Sequence, residues 1–446
     1  MIVILGAGLA GLAAAYHLRR AGRTDVVILE REAKPGGLTR SEHIDGYTFD
    51  YTGHFLHFRR PEIQEWVMSL CGDNMHRVAR QAWIHSRGVD TPYPFQANTY
   101  GLPAEVVKEC LIGFIEASIA AGDATAAAAP DPAEVIFEDW ILATFGRGIA
   151  KHFMIPYNTK LWTIPPHEMT CEWMGRFVPR PTLEEVIDGA LFDRRDRAFG
   201  YNAYFWYPIE GGIQVLPAAL LGGAGPVVLD TEVNGIDLRR RRVHVRDGAP
   251  VEYETLISTL PLDRFVGLLK PAPDEVRNAG GKLRHNSVLS VNLGIEGRQV
   301  SDRNWVYFPE PEYIFYRLGF PTNSSPRVAP PGASSVTAEV AFSGARPIDR
   351  GDCVRRVKRD LERVGILRPG DRIGVEVTFE IPCAYVLYDR ARKRSVAEVQ
   401  RFLESQGIYS IGRYGAWEYS SMEDAIVHGK ETAERLLRAE EAEATR

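Results

Sequence analysis

The chain opens with an apolar run, Ile2 to Leu5, broken at Gly6, Gly8 and Gly11, and resumes as an Ala/Leu-rich stretch to Leu18. This order predicts a β-branched strand, a glycine turn and a helix, and Asp25 to Leu29 reads as a second strand ending at Glu30. The first thirty residues therefore form a predicted βαβ unit. Between Pro103 and Trp162 the apolar positions change to helical spacing, with Val107, Leu111, Phe114 and Ile115 in one stretch. A second stretch places Ile141, Phe145, Ile149 and Phe153 at steps of four. The Ala, Pro and Asp content of the intervening segment, Ala124 to Pro132, predicts a mobile loop between two helices.

Further along, the period drops to two. Leu289, Val291, Leu293 and Ile295 alternate with Asn292 and Glu296, and Val336, Ala338, Val340 and Phe342 alternate with Thr337 and Glu339. Ile373, Val375, Val377, Phe379 and Ile381 alternate with Glu376, Thr378 and Glu380. Such strands predict a sheet with one wet face, most simply antiparallel. The C-terminal part returns to strand, turn and helix, with the last helix expected from Met422 to Leu437 and a charged tail that frays. There is no internal repeat.

At 446 residues the chain has room for about three domains of about 150 residues. Lys and Arg total 53 against 58 Asp and Glu, a formal charge of −5, and 45% of residues are hydrophobic. This balance is that of a soluble globular protein and gives no reason to expect nucleic-acid binding. The five cysteines, Cys71, Cys110, Cys171, Cys353 and Cys383, are scattered without a CxxC pair. Neither a disulfide framework nor a zinc site is expected, and reduced cytoplasmic thiols are. The run from Ile2 to Leu18 contains three glycines and His17 and is short for a membrane span, so it reads as neither signal peptide nor anchor.

Gly6, Gly8 and Gly11 form GxGxxG directly after the first strand, letting the backbone approach a pyrophosphate at the positive end of the following helix. Glu30 ends the next strand, where a carboxylate would bind ribose hydroxyls. After it, REAKPGGLTRS supplies a second close approach at Gly36 and Gly37. This glycine doublet resembles the signature of the large FAD-binding family that includes amine oxidases, protoporphyrinogen oxidases and sugar-nucleotide mutases. The resemblance implies FAD held by Gly6, Gly8, Gly11, Glu30, Gly37, Leu38 and Val233, and by Gly412 and Met422 at the C-terminal turn and last helix. That helix would stabilise negative charge on a reduced flavin.

More specific motifs follow in order: TGHFLHF (52–58), RQAWIHSRGVDTPYPFQAN (80–98), YNTKLWTIPPHEM (157–169), YNAYFWYPIEGG (201–212), WVYFP (305–309), FYR (315–317) and GRYGAWEY (412–419). Together they resemble the UDP-galactopyranose mutase family, more the eukaryotic type than the bacterial, over nearly the whole chain. The resemblance implies an α/β fold in which a Rossmann-like FAD-binding domain (1–78, 205–270 and 405–446) carries an inserted helical domain (100–200). An antiparallel β-sheet substrate domain (79–99 and 271–404) completes it. The implied activity is an isomerase without net redox change, interconverting pyranose and furanose forms of a nucleotide-linked hexose, with N5 of reduced FAD attacking the anomeric carbon. NADPH or another reductant would reduce the flavin.

A nucleotide sugar needs cations for its phosphates and aromatic surface for its base. The resemblance offers Arg317 and Arg413 for the pyrophosphate and Tyr385 and Tyr419 as hydroxyl donors. Tyr93, Phe95, Gln96, Asn158 and Trp162 would hold the nucleoside, Asn202 would lie near the sugar, and His54 would sit in the loop beside the flavin. Phe95 and Trp162 suit a hydrophobic core equally well. His54 and His57 stand close together in sequence without a carboxylate partner, so no metal site is expected. Three positions depart from the family pattern. Phe177 aligns with an arginine, with Arg176 and Arg180 displaced to either side; Ser324 aligns with a phosphate-reaching tyrosine; and Thr52 stands in place of a glycine. The first two alter substrate contacts and bear on which nucleotide sugar is used. The competing reading is an FAD-dependent oxidase or desaturase, which would share the glycine turns but have no use for paired arginines and PYPFQ. A third is a flavoprotein that retains the fold as a non-catalytic binding scaffold.

Overall fold

The strand Ile2–Leu5 is buried at every position and lies between two parallel partners, Val26–Leu29 and Thr255–Ser258. This computed structural model describes residues 1–122, 130–175, 177–193 and 203–444. Ile408–Ser410 and Val227–Val228 complete a parallel sheet of five strands on its two edges. Strands covered on both faces need apolar runs; IVIL and VVIL are apolar throughout and TLIS at its two central positions. The helix Leu9–Arg20 packs on Met422–Ala444, so closely that a Cβ on Gly429 would lie 2.4 Å from the Ala10 carbonyl oxygen. The two ends of the chain thereby share one core, and the last helix continues past Leu437, where fraying was expected.

A second sheet has seven strands, in the order Ile373–Val386, His285–Ile295, Ser334–Phe342, Arg317–Gly319, Trp305–Tyr307, Ala82–Ser86 and Val89–Pro92. It is antiparallel except for Trp305–Tyr307 beside Ala82–Ser86, which run parallel. One face follows the expected alternation: Leu289, Val291 and Leu293 pair with Val340, Ala338 and Val336. This face packs against the helix Arg350–Arg363 through Cys353, Val357 and Leu361.

The other face corrects the expectation of a wet surface. Ser290, Asn292 and Glu339 are at most 1% exposed. Thr337 Oγ1 donates to Asn292 Oδ1 at 2.8 Å, so the polar side chains satisfy one another inside the protein. Only the edge strand Ile373–Val386 keeps exposed alternates, at Glu376, Thr378 and Glu380.

The helical stretch comprises Ala104–Gly122, Phe137–Ile149 and Ile155–Trp162, the last two joined through a π turn at Ala150–Met154. Ile141, Phe145 and Ile149 are fully buried and Phe153 nearly so. The wide turn widens the helix immediately before Tyr157 to Trp162, a position where such bulges commonly serve a site. Asn202, Tyr201, Arg176 and residues 123–129 of the expected loop lie outside the described residues. Among the described residues no helix is long and apolar enough to cross a membrane.

Candidate active site

The first cluster of expected residues surrounds the turn after Ile2–Leu5. Gly6 has φ +97°, and a Cβ on Gly11 would lie 2.1 Å from the Gly6 carbonyl oxygen, so helix and turn meet at a distance only glycine permits. The second glycine turn touches the first: Gly36 N–H donates to the Ala7 carbonyl at 2.7 Å, and a Cβ on Gly37 would lie 3.2 Å from Gly8 Cα. Glu30 is buried, with one carboxylate oxygen accepting from Ala7 N–H at 2.7 Å and the other from Glu32 N–H at 3.0 Å.

Leu38 follows in the short turn Gly37–Thr39, and Val233 opens the strand Val233–Asp237, two residues after Thr231 N–H binds the Glu30 carbonyl at 2.8 Å. Gly412 reaches the same region, since a Cβ there would lie 2.8 Å from Ala10 Cβ, and Met422 begins the helix packed on Leu9–Arg20. No side chain caps Leu9–Arg20 at Gly8. Its first amides are left for an anion, and this glycine floor with its fixed carboxylate fits the pyrophosphate and ribose of a dinucleotide.

The second cluster is built on the inner face of the seven-stranded sheet. Arg317 lies opposite Glu339 on the neighbouring strand, with Nη2 at 2.7 and 2.9 Å from the carboxylate oxygens. Tyr316 OH donates to the same carboxylate. Burial opposes the Arg317 charge, but Glu339 beside it holds the guanidinium protonated well above its ordinary range.

Arg413 differs. Its guanidinium donates to the carbonyls of Ser420 at 2.6 Å and Ala384 at 3.4 Å, and among the described residues no carboxylate lies within ion-pair distance of it. It sits 4.8 Å from the ring centre of Tyr419 and 5.4 Å from that of Tyr385. His54 lies near both arginines; burial, reinforced by their charges, pushes its imidazole down to about 4. Burial, against the opposing pull of the Arg317 charge, pushes Tyr385 up to about 12, so its hydroxyl stays a donor at neutral pH. Arg317, Arg413, His54, Tyr385 and Tyr419 are thus brought into one neighbourhood.

The residues expected to hold the nucleoside divide into two groups. Tyr93 is partly exposed, with its ring centre 5.5 Å from that of Tyr307. Phe95 and Trp162 are 0% exposed, which corrects their expected role as direct nucleoside contacts: Phe95 stacks on Phe153, and Trp162 Nε1 donates to Asn158 Oδ1 at 3.1 Å. Asn158 in turn donates to the Met154 carbonyl and Gln96 to the Pro179 carbonyl, and both are buried. These four build the wall behind the tyrosines. Trp162 supports Tyr385 and Tyr419 at ring-centre distances of 5.5 and 5.9 Å.

Tyr157, Tyr307 and Tyr316 stand in the sequence motifs without an expected role, and Glu339 sits at a position expected to face solvent. Their signal was present in the motifs themselves, aromatic residues flanking FYR and YNTKLW. Phe177 meets Tyr419 edge to face at 4.7 Å. Ser324 lines a narrow cavity with Thr52, Trp305, Arg317 and Glu339.

Residues 9–437 match the family of flavin containing amine oxidoreductases. The chain belongs to this family. As a member it is a flavoenzyme, and FAD is the cofactor that the first cluster fits. This family member superposes on a crystal structure of reduced UDP-galactopyranose mutase with a TM-score of 0.90 and 29% identity, covering 98% of its own length and 94% of that chain. A putrescine oxidase shares the fold at a TM-score of 0.69 and 18% identity, with 98% of each chain covered. The coproporphyrinogen III oxidase of Mycobacterium tuberculosis is 30% identical over 310 residues, 66% of each chain. The chain spans 15% of the length of a Baeyer-Villiger monooxygenase from Streptomyces coelicolor that it also matches, at 37% identity over 77 residues, 17% of this chain.

Proposed function

We propose that this flavoenzyme interconverts the pyranose and furanose forms of a nucleoside-diphosphate hexose, without net redox change. The observation that supports this reading is Arg413, a guanidinium with no carboxylate partner among the described residues, held by carbonyls and tyrosine rings close to Arg317 and His54. A cation so placed calls for an anionic ligand, and a diphosphate bridging Arg413 and Arg317 supplies one.

In this reading Arg413 and Arg317 grip the diphosphate, so that it departs from the anomeric carbon and waits in place to return. Tyr385 and Tyr419 donate hydroxyl hydrogens to the phosphate oxygens, and Tyr93, Tyr157 and Tyr307 offer the partly exposed aromatic surface for the base. His54, neutral at working pH, contributes shape and a backbone turn without adding charge. Gly6, Gly8, Gly11 and Glu30 would hold FAD, which, once reduced by NADPH or another donor, would supply a nucleophilic nitrogen for the anomeric carbon.

The test is a panel of nucleotide sugars incubated with dithionite-reduced holoenzyme, with products resolved by chromatography. Furanose product formed without stoichiometric consumption of reductant supports the proposal; no conversion of any member sinks it. The second reading, an FAD-dependent oxidase or desaturase, draws on the likeness to coproporphyrinogen III oxidase. Its signature is oxygen consumption that depends on an amine or hydrophobic ring substrate.

A further inference from the structure

Helix Ile155–Trp162 carries Tyr157 on the site wall and, one turn on, Lys160. Lys160 is 4% exposed and forms no ion pair among the described residues. Its Nζ donates to two backbone carbonyls, Phe308 at 2.9 Å and Glu310 at 2.7 Å. Both belong to the turn that leaves strand Trp305–Tyr307 and leads round to Arg317.

The same turn is held from a second direction. Glu310 is buried, and its Oε1 accepts from Ser86 Oγ at 2.7 Å and from Arg87 N–H at 3.0 Å. Those two residues stand at the tip of the hairpin formed by Ala82–Ser86 and Val89–Pro92, whose second strand runs directly into Tyr93, Phe95 and Gln96. The helix and the hairpin, far apart in sequence and each carrying site residues, therefore converge on the turn Phe308 to Glu310, which itself leads to Arg317.

We propose that Lys160 is a positioning residue: it staples the helix bearing Tyr157 to the hairpin bearing Tyr307 and Arg317, fixing the base-facing wall relative to the phosphate-binding arginine. This rests on the nucleotide-sugar reading of the site. A buried ammonium without a counter-ion is costly unless its hydrogens are used, and here two carbonyls beyond the end of a strand ladder use them. Burial, with Arg346 nearby, pushes Lys160 down to about 7. Both the ammonium and the neutral amine keep the two N–H donors the carbonyls require, so the staple holds on either side of neutrality. A methionine offers neither donor and leaves two buried acceptors unpaired.

The test compares wild-type holoenzyme with Lys160→Met and Lys160→Arg by amide hydrogen exchange and by binding of UDP. In Lys160→Met, exchange across 155–162 and 305–319 is expected to accelerate about 10-fold or more, with 1–30 unchanged, because two buried hydrogen bonds are lost locally. UDP affinity should fall about 10-fold and the flavin spectrum should stay the same, while Lys160→Arg, which keeps the donors, returns both readouts most of the way. Where the Met variant does not accumulate, Lys160→Gln takes its place with the same expectation at smaller amplitude. Exchange that stays at the wild-type rate in 305–319, or that rises equally in 1–30, overturns the staple. A wild-type enzyme that binds no UDP while the exchange contrast appears overturns the nucleotide reading and upholds the staple.

Discussion

Arg317 and Glu339 face each other across neighbouring strands, and one guanidinium nitrogen lies within 2.9 Å of both carboxylate oxygens. Glu339 is 1% exposed and Arg317 partly buried, so removing the arginine leaves a buried carboxylate with the Tyr316 hydroxyl but without its counter-charge. Such a loss costs about 3–5 kcal/mol of stability. If Arg317 also grips phosphate, Arg317→Ala should reduce turnover at least about 100-fold, equivalent to about 3 kcal/mol of charge-assisted contact. The two effects separate in the double variant Arg317→Ala with Glu339→Gln, which should regain most of the thermal stability and none of the turnover. Recovery of turnover in that double variant would remove Arg317 from the phosphate site.

Arg413 supplies the contrasting case. Among the described residues no carboxylate pairs with it, and its guanidinium donates to the Ser420 and Ala384 carbonyls. Arg413→Ala should therefore match Arg317→Ala in lost turnover, about 100-fold, while shifting the unfolding midpoint less. Steady-state kinetics beside thermal denaturation of the same preparations decides it. A variant with near-wild-type turnover would show that the unpaired guanidinium is structural.

His54 holds its imidazole neutral, with Nδ1 3.2 Å from the Thr52 carbonyl, an acceptor that fixes the proton on that nitrogen. Its value in the folded protein, about 4, lies below the ordinary value of 6.5. The unfolded chain thus binds the proton more readily. Stability from this site is complete above pH 6.5 and is lost as pH falls towards 4. Between pH 7 and pH 5 the loss is at most about 2 kcal/mol, reduced by the partial exposure of the ring. His54→Asn should flatten the stability profile over that range. Activity should show no titration assignable to His54 between pH 5 and 8, which a comparison of kcat/KM profiles for the two proteins checks.

The parts of the fold readable in advance were those enforced by local contact. A Cβ at Gly11 would strike the turn it packs on, so the spacing of Gly6, Gly8 and Gly11 carries its geometry openly. The steps of four from Ile141 to Phe153 likewise marked a helix face that is buried in full. Alternation in the strands was read correctly as two unlike faces, but period two says nothing of what covers the polar one. Glu339 looked like a solvated alternate because its partner, Arg317, is 22 residues away in another strand. The parallel pairing of Trp305–Tyr307 with Ala82–Ser86 and the donation from Lys160 to the Phe308 carbonyl were hidden for the same reason. For Phe95 and Trp162 the sequence left core and nucleoside contact both open, since burial is decided by the segments that close over them.

Ser324 is the position at which the resemblance to UDP-galactopyranose mutases implies a tyrosine, and its surroundings argue against placing one there. Its side chain is 2% exposed, and its carbonyl accepts from His76 Nε2 at 2.7 Å. The cavity it shares with Arg317 and Glu339 is narrow and lined also by Trp305 and Phe320. A phenol ring introduced there overfills it, at a cost of about 1–3 kcal/mol. Tyr385 and Tyr419 already stand beside Arg413, so a further hydroxyl behind Arg317 adds nothing a diphosphate lacks. Ser324→Tyr should lower the unfolding midpoint without tightening nucleotide binding, and Ser324→Ala should leave affinity within about threefold, since among the described residues the hydroxyl meets a weak contact from Asn304 at 3.5 Å. Calorimetric titration with UDP on both variants measures this. Tighter binding by Ser324→Tyr at unchanged stability would mean that the cavity opens to the phosphates, and that this chain binds its ligand with one tyrosine fewer than the site can accept.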